Sequence, residues 1–479
     1  MGKNTVLLLY PKTGVQNLKP QSPLSLLALA PALEEAGYRP VIVDTRVEPD
    51  YSKRIREHLD DTVFVGVTSM TGRQIAYGLE LSREVRQLAP AVPVVWGGIH
   101  ASMLPAETLG ADCVDYVVVG EGEETVVELA DALRDGGDVS GVPGVYYKDA
   151  DGGHQFTGQR DLLPLESLRM PAWHLVDVSR YSEIGVQAGR GCPWRCTFCY
   201  NIQFNRASWR GKSTEQVVAE LKLLKTRYLV DHVTFYDDNF FSSRKRAEEI
   251  CRAILAEDLQ IRWSTTCRAD YLANYDDAFI ELIKAAGADI LFVGSESGSE
   301  GILRSIQKKI TTDDIRGMAR AVQKHGLRVH TSFMVGFPGE TEADRHATYA
   351  LMDEIKAIAP KIVITSTCIY TPYPGNQLFD QAKERGFQPP ASLEGWADFN
   401  YFHCNLPWIA PSDRVLLENL AFITRFVFWS REIKSRYLRW YHYPFYYPLR
   451  ASALLRWKTR GFGHAWEWSL FRKVLKELE

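Results

Sequence analysis

The 479-residue chain has no apolar run close to the ~20 residues needed to span a bilayer. Its opening, Met1 to Tyr10, lacks the charged n-region, long h-region and cleavage site of a signal peptide, so it reads as a buried strand. Neither sign of charge is in excess. Lysine and arginine number 56, aspartate and glutamate 59, and the net charge is −3, so nothing global argues for a nucleic-acid partner. Cysteine is scarce, at eight residues, which excludes a disulfide scaffold. With 46% hydrophobic and 24% charged residues the chain is neither disordered nor collagen-like. Its length allows about two to four domains, and the expected location is cytoplasmic.

Against that scarcity, clustering carries information. Cys113, Cys251, Cys267, Cys368 and Cys404 are scattered singly, but Cys192, Cys196 and Cys199 fall within eight residues. Clustered cysteine in a reduced compartment means metal or redox chemistry more often than a bridge.

The first 150 residues alternate apolar strands with helices. Strands are expected at Val6–Tyr10, Pro40–Asp44, Val63–Val67, Val92–Trp96 and Tyr116–Val119. Helices are expected at Leu24–Ala36, Gln74–Leu88 and Glu124–Leu133. Strands apolar on both faces and separated by helices predict a doubly wound parallel sheet, which binds ligands at the carboxyl ends of its strands. Three loops there are rich in small residues: Thr68-Ser69-Met70-Thr71-Gly72, Gly97-Gly98-Ile99-His100 and Gly120-Glu121-Gly122-Glu123. They are either ordinary strand-to-helix turns or places where backbone N–H groups approach a ligand.

Taken in order, with Pro105 and Asp115-Tyr116 between them, these loops resemble the cobalamin-binding domain fused in front of radical S-adenosylmethionine (SAM) enzymes. The resemblance covers about 140 residues. The Asp-x-His-x-x-Gly motif of other cobalamin proteins is absent. The resemblance implies cobalamin held by Thr68, Ser69, Met70, Gly97, Gly98, His100, Gly120, Glu121 and Gly122. His100 is read as a backbone-holding or solvent-exposed residue in preference to a cobalt ligand.

The segment Gly189-Arg190-Gly191-Cys192-Pro193-Trp194-Arg195-Cys196-Thr197-Phe198-Cys199-Tyr200-Asn201 has the spacing Cys-x3-Cys-x2-Cys. No second Cys-x2-Cys or His-x3-His follows to complete a zinc site. Three thiolates on one loop fit a 4Fe–4S cubane with one iron left open. With the strand Ile184–Ala188 before it, this motif resembles the radical SAM superfamily. That implies SAM bound to the open iron, an external electron donor of flavodoxin or ferredoxin type, and reductive cleavage of SAM to methionine and a 5′-deoxyadenosyl radical.

A second alternating run follows, with strands at Asp231–Tyr236, Ile261–Cys267, Asp289–Val293, Leu327–Val335 and Ile362–Tyr370. Counted from Ile184, six strand–helix units predict a partial (β/α)6 barrel whose chemistry lies at the strand carboxyl ends. The resemblance places SAM contacts at Phe198, Asp237, Asn239, Arg268, Glu296, Ser297 and Gly336. Some of these have a plainer reading. Asp237-Asp238-Asn239 also suits a helix N-cap, Arg268 a salt bridge, and Gly336-Phe337-Pro338-Gly339 a simple turn.

The expected fold class is therefore α/β: an N-terminal Rossmann-like cobalamin-binding domain (1–148), a strap (149–182), a partial (β/α)6 radical SAM barrel (183–375) and a helical C-terminal segment (376–479). In the last, a helix is expected over Asp413–Tyr441 with Ser412 as N-cap. Arg425 to Lys473 holds 11 basic residues against Glu432 and Glu467, with ten aromatics between Phe426 and Tyr447. This is a cap packed on the barrel, a lid over an apolar or lipid-like small-molecule substrate, or a peripheral contact at the inner membrane face. The overall resemblance is to the cobalamin-binding-domain radical SAM family, and it implies methylation of an unactivated carbon or phosphorus centre. Cobalamin-assisted cyclisation or carbon–carbon bond formation is the alternative enzyme activity, and a non-catalytic cobalamin sensor the alternative outside catalysis.

Replacing any one of Cys192, Cys196 or Cys199 by alanine is expected to abolish SAM cleavage in a protein that still folds, because all three thiolates are needed to leave one iron open. Iron content and 5′-deoxyadenosine yield are the measurements. A variant with wild-type iron and full cleavage would remove that cysteine from the ligand set.

Overall fold

Alternating apolar side chains fix the first sheet. In β1 (Thr5–Tyr10), Val6 and Leu8 pack into one hydrophobic cluster while Leu7 and Leu9 pack into another. The strand is thus buried on both faces, as a doubly wound sheet requires. The computed structural model, which describes residues 3–14, 20–399, 404–428 and 443–463, shows this sheet with seven strands. β1 is flanked by β2 (Arg39–Asp44) and β3 (Thr62–Thr68), followed by β4 (Val94–Gly97) and β5 (Tyr116–Val118), in the order β2-β1-β3-β4-β5 and all parallel. β6 (Val145–Lys148) and β7 (His154–Phe156) then add an antiparallel hairpin. Its turn is held by Asp149, whose Oδ1 accepts from the N–H groups of Asp151 and Gly153 at 3.1 and 2.7 Å.

Helices Leu24–Glu35 and Thr125–Arg134 cover one face, and Tyr51–His58 and Arg73–Leu88 the other. The order reverses between β1 and β3. That places the ligand crevice of such a sheet beyond the carboxyl ends of these strands and their neighbour β4.

The second sheet contains six parallel strands, each paired only with its sequence neighbours: β8 (Ile184–Val186), β11 (His232–Phe235), β12 (Arg262–Cys267), β13 (Ala288–Glu296), β14 (Arg328–Val335) and β15 (Val363–Ile369). This is the expected partial barrel. Its helices begin at well-formed caps. Ser213 with Gln216, Thr311 with Asp314 and Thr341 with Asp344 each form a reciprocal capping box. Between β8 and β11 the chain makes an excursion that starts at β9 (Gly189–Gly191) and returns at β10 (Trp209–Gly211), an antiparallel pair enclosing all three clustered cysteines.

The strap binds the two sheets together. The Ala172 N–H donates to Leu27 O at 2.9 Å, and the buried indole of Trp173 donates to Glu220 Oε1 at 3.2 Å. The chain after Gly375 closes both modules. Phe379, Leu393, Trp396 and Phe399 complete the hydrophobic cluster under helix Arg73–Leu88. Helix Pro411–Phe428 packs on the edge strand β15, and helix Tyr443–Thr459 packs on that helix.

One C-terminal expectation is corrected here. The helix starts at Pro411, so Ser412 lies inside its first turn and is not the N-cap. Leu417, Leu420, Phe422, Ile423, Phe426, Phe428 and Tyr446 are buried, so these residues pack as a cap. Residues 429–442 and 464–479, which include Trp429, Tyr437, Trp440 and Tyr441, lie outside the described residues.

Candidate active site

The cysteine excursion is held at its base by two carboxylates from the end of β11. Asp237 Oδ1 accepts from the Ala188 N–H at 2.8 Å. Asp238 Oδ2 accepts from the Gly191 N–H at 2.9 Å, and its Oδ1 accepts from the Tyr200 hydroxyl at 2.7 Å. The middle of the loop is tied to the barrel and to the C-terminal segment. The Thr197 N–H donates to Ile306 O at 3.0 Å, and Thr197 O accepts from the Leu378 N–H at 2.9 Å. Gly191, just before Cys192, has φ +84°, and a Cβ there would overlap Ser208 O, so the strand closes only with glycine.

The helix N-cap reading of Asp237-Asp238-Asn239 is thereby replaced. Helix Arg244–Ala256 is capped by Ser243, and the Asn239 amide donates to Cys192 Sγ at 3.6 Å and to the Tyr271 hydroxyl at 3.3 Å.

Burial pushes the Cys196 thiol up and the Cys199 thiol up to about 12. Metal must therefore displace protons to bind here. Among the described residues no three His, Cys, Asp or Glu side chains converge as a single metal ion requires. A cubane makes no such demand, because each thiolate takes its own iron. The donor set, three thiols on one clamped loop, fits the cluster.

Opposite the cysteines lies the end of β13. Glu296 has φ +61°, an unusual backbone state for a side chain of this size and one concentrated at functional sites. Its Oε1 accepts from the Lys308 ammonium at 2.7 Å, and that ammonium lies 5.7 Å from the Phe198 ring centroid. Burial works against the Lys308 charge, but Glu296 and the Cys196 sulfur outweigh it and raise the ammonium above its ordinary value. Phe337 continues the wall, stacked on Tyr370 at 5.5 Å and tilted against Phe198 at 6.4 Å. Gly336, at φ +87°, donates its N–H to Glu340 Oε2 at 2.5 Å and accepts from the Trp408 indole at 3.1 Å.

Two expected SAM contacts, Arg268 and Ser297, are engaged by protein partners. The Arg268 guanidinium is engaged by Asp270 at 2.9 Å and by the carbonyls of Lys308 and Lys309 at 3.0 and 3.2 Å, and it stacks on Trp194 at 3.9 Å. Ser297 is fully buried, facing Thr348 Oγ1 at 3.2 Å on the outer helix.

At the first sheet, Ser69, Gly97 and Gly98 interlock. The Ser69 N–H donates to Gly97 O at 2.9 Å, and a Cβ on Gly98, at φ +93°, would come within 2.7 Å of Ser69 O and 3.0 Å of Thr68 Oγ1. Met70 is 56% exposed in the same loop. The Gly120 N–H donates to Ser102 Oγ at 3.0 Å, with open space where a Cβ would stand. Gly122 lies against Leu29. A cradle of backbone and small residues with an exposed methionine fits a large planar cofactor.

His100 is not exposed. It is buried, 2.9 Å from Thr71 Oγ1 through Nδ1 and edge-on to Trp396 at 5.6 Å, with no hydrogen-bond partner at Nε2. Burial lowers it to about 4, so it is neutral at pH 7. Glu121 points away from the cradle. Its carboxylate accepts from Arg190 at 3.0 Å, from Arg210 at 2.9 Å and from the Leu163 N–H at 2.9 Å.

Comparison with known proteins agrees with this geometry. The model of the radical SAM superfamily matches residues 186–352, and that of the B12 binding domain matches 19–130. A protein named uncharacterized methyltransferase PH0819, from Pyrococcus horikoshii, is 32% identical over 373 residues, covering 75% of this chain and 78% of its own length. The chain belongs to the cobalamin-binding-domain radical SAM family. The anaerobic magnesium-protoporphyrin IX monomethyl ester cyclase of Synechocystis sp. is 26% identical over 398 residues, 78% of this chain and 76% of the cyclase. The structure of the radical SAM methyltransferase TsrM from Kitasatospora setae, with cobalamin and a 4Fe–4S cluster bound, superposes with a TM-score of 0.69 at 20% identity. It covers 95% of this chain and 99% of TsrM, and shares its fold.

As a radical SAM enzyme of this family, the protein uses a 4Fe–4S cluster, SAM and cobalamin. Sequence reasoning missed Asp238, Lys308, Arg190 and Arg210. Asp238 was within reach, beside two residues that were singled out. Lys308 lies in a connection without any motif, and only the fold brings it to Cys196 and Glu296.

Burial also pushes the Asp237 carboxyl up to about 7 from its ordinary 3.8, against the opposing Ala188 N–H. Between those values the folded protein keeps a proton that the unfolded chain has released, so folding loses stability as pH rises through this window. Asp237→Asn removes the titration and keeps an oxygen for Ala188. The melting temperature of the wild type should therefore fall relative to that variant between about pH 4 and about pH 7. Parallel curves would show that Asp237 ionises normally.

Proposed function

We propose that this enzyme methylates an unactivated centre of a small, apolar or lipid-like molecule. The observation that carries the reading is the meeting of two strand-end surfaces. The loop after β5 bonds to the cysteine hairpin through Glu121, and Gly375, after β15, lies against Met103, just after the Gly97-Gly98 loop. When bound, the cluster supplies the electron that cleaves SAM to a hydrogen-abstracting radical, and cobalamin carries the methyl group.

The chain's own residues have positional work to do. Cys192, Cys196 and Cys199 would hold the cluster, with the Asn239 amide against Cys192 Sγ. The Glu296–Lys308 pair offers one charge of each sign beside Phe198, suited to the ammonium and carboxylate of an amino acid. Phe337 and Tyr370 offer aromatic faces to exclude water. Thr68, Ser69, Met70, Gly97, Gly98 and Gly120 would hold cobalamin largely through backbone. Neutral, buried His100 supports that cradle through Thr71. Arg268, Ser297 and Glu121 keep their neighbours in place and are not assigned contacts to a cofactor.

The substrate class rests on helix Tyr443–Thr459. Phe445, Tyr447 and Leu455 are exposed on it. From Tyr443 to Gly463 the chain has four basic residues and no acidic one. No helix among the described residues is long and apolar enough to cross a membrane. The exposed apolar and basic residues interleave around this helix without forming one apolar face, so at an anionic bilayer Phe445, Tyr447 and Leu455 would act as single anchors and each basic residue would contribute about 1 kcal/mol.

The reaction class is tested with methyl-labelled SAM and the reconstituted enzyme. Methyl transfer should yield labelled cobalamin and S-adenosylhomocysteine besides 5′-deoxyadenosine. Cyclisation without methyl transfer would give 5′-deoxyadenosine and methionine and no S-adenosylhomocysteine.

For the membrane surface, the protein should cosediment with phosphatidylglycerol vesicles and not with phosphatidylcholine. Binding should weaken as salt shortens the screening length to about 3 Å at 1 M. Phe445→Ser with Leu455→Ser should lower binding at least about fivefold, a share consistent with two lost apolar anchors. Equal absence of binding to both vesicle types would remove the membrane part of the reading.

A further inference from the structure

The cysteine hairpin is electrostatically incomplete by itself. Arg190 and Arg210 are directly opposite each other in its three-residue ladder. Like charges in that position repel, and both side chains are largely removed from water, at 14% and 18% exposure. The compensating carboxylates come from the other sheet. Glu121 Oε1 accepts from Arg190 Nη1 at 3.0 Å and from Arg210 Nη2 at 2.9 Å, while Glu121 Oε2 accepts from Arg210 Nη1 at 2.9 Å. Glu123 Oε1 accepts from Arg190 Nη2 at 2.5 Å.

The strap joins the same cluster. The Leu163 N–H donates to Glu121 Oε2 at 2.9 Å, and Leu163 O accepts from Arg210 Nη1 at 2.6 Å. Two carboxylates and two guanidinium groups thus neutralise one another at a point where first sheet, strap and cysteine hairpin touch.

Glu121 lies in the loop whose glycines, Gly120 and Gly122, border the cobalamin cradle. Gly120 is anchored there through Ser102, which in turn donates to Gly98 O at 2.8 Å. A chain of hydrogen bonds therefore runs from Gly98 through Ser102 to the Gly120 N–H, and the next residue, Glu121, grips both arginines of the hairpin.

We propose that Glu121, Arg190 and Arg210 form a clasp through which occupancy of the cobalamin cradle stiffens the iron–sulfur hairpin. Ordering of the Gly120-Glu121-Gly122-Glu123 loop by a ligand holds the carboxylates in place, and these hold the arginine pair that brackets the cysteines. By linkage, a formed hairpin favours ligand in the cradle by the same factor. All three are positioning residues. The inference rests on the cobalamin part of the proposed function and is independent of whether methyl transfer follows.

The test is amide hydrogen exchange over residues 189–211 of the full chain, with and without hydroxocobalamin. In the wild type, hydroxocobalamin should slow exchange of the hairpin at least fivefold. Glu121→Gln keeps the shape and removes the charge. Its hairpin should exchange at least tenfold faster and should not respond to hydroxocobalamin, although the cobalamin absorbance shows the cradle filled. Arg210→Lys keeps the charge and loses the fork, and should fall between the two; it carries the same comparison if Glu121→Gln does not fold.

A merely structural ion cluster would raise exchange in the variants while leaving the response to hydroxocobalamin intact, and that result would overturn the proposal. So would a wild-type hairpin indifferent to hydroxocobalamin at full occupancy. A protein that takes up no hydroxocobalamin would instead overturn the cobalamin reading beneath it. Absence of S-adenosylhomocysteine in the labelling experiment would leave the clasp standing and remove only methylation.

Discussion

Buried carboxylates that accept hydrogen bonds from backbone amides are the interaction on which this active site depends. Trp194, Phe198, Tyr200, Ile202, Phe204 and Trp209 of the cysteine excursion are only partly buried, so hydrophobic packing alone does not fix it. Asp237 and Asp238, at the end of one barrel strand, take the N–H groups of Ala188 and Gly191 and the hydroxyl of Tyr200. Removing either acid leaves a buried donor without a partner, a loss of about 1–3 kcal/mol each. The rigidity of the loop is thus inherited from β11, whose own place is set by parallel pairing with β8 and β12.

The C-terminal segment extends that logic to the edges of both sheets. An open partial barrel leaves β15 with one unpaired side, and exposed edges invite association. Helix Pro411–Phe428 packs there, and Thr424 Oγ1 accepts from the Thr367 N–H at 3.2 Å. The stretch before it turns back to the other module, where Trp396 fills the space between His100 and Phe399. One continuous segment therefore seals the barrel edge and packs behind His100 at the carboxyl ends of the first sheet.

Much of this architecture was legible in the sequence because apolar runs announce buried parallel strands. All five parallel strands of the first sheet and all six of the second fall where the runs lie, within one or two residues at most ends and three at Ala288–Glu296. Helix Tyr51–His58 was missed because its one buried residue, Ile55, gives no periodic pattern. The cysteines were legible because spacing is a one-dimensional property.

The direction of a side chain at a strand end is not one-dimensional. Ser297 faces outward to Thr348 because a neighbouring helix offers a partner, and Arg268 folds back on Asp270 and two carbonyls. Glu121 turns its carboxylate to the cysteine hairpin for the same reason. Its partners lie 69 and 89 residues further along the chain.

Gly375 has a consequence for how such enzymes diversify. It is held at φ +86°, a Cβ there would overlap the sulfur of Met103, and Gln203 of the cysteine excursion lies against the same point. Barrel, cobalamin domain and iron-binding loop therefore converge on a position with no room for a side chain. Two halves that touch this closely need matched residues on both sides of the contact when they are exchanged between relatives. A transplanted N-terminal domain would have to bring its own counterpart to Met103, so the two halves of this chain are expected to evolve as one unit even though each is a fold of its own.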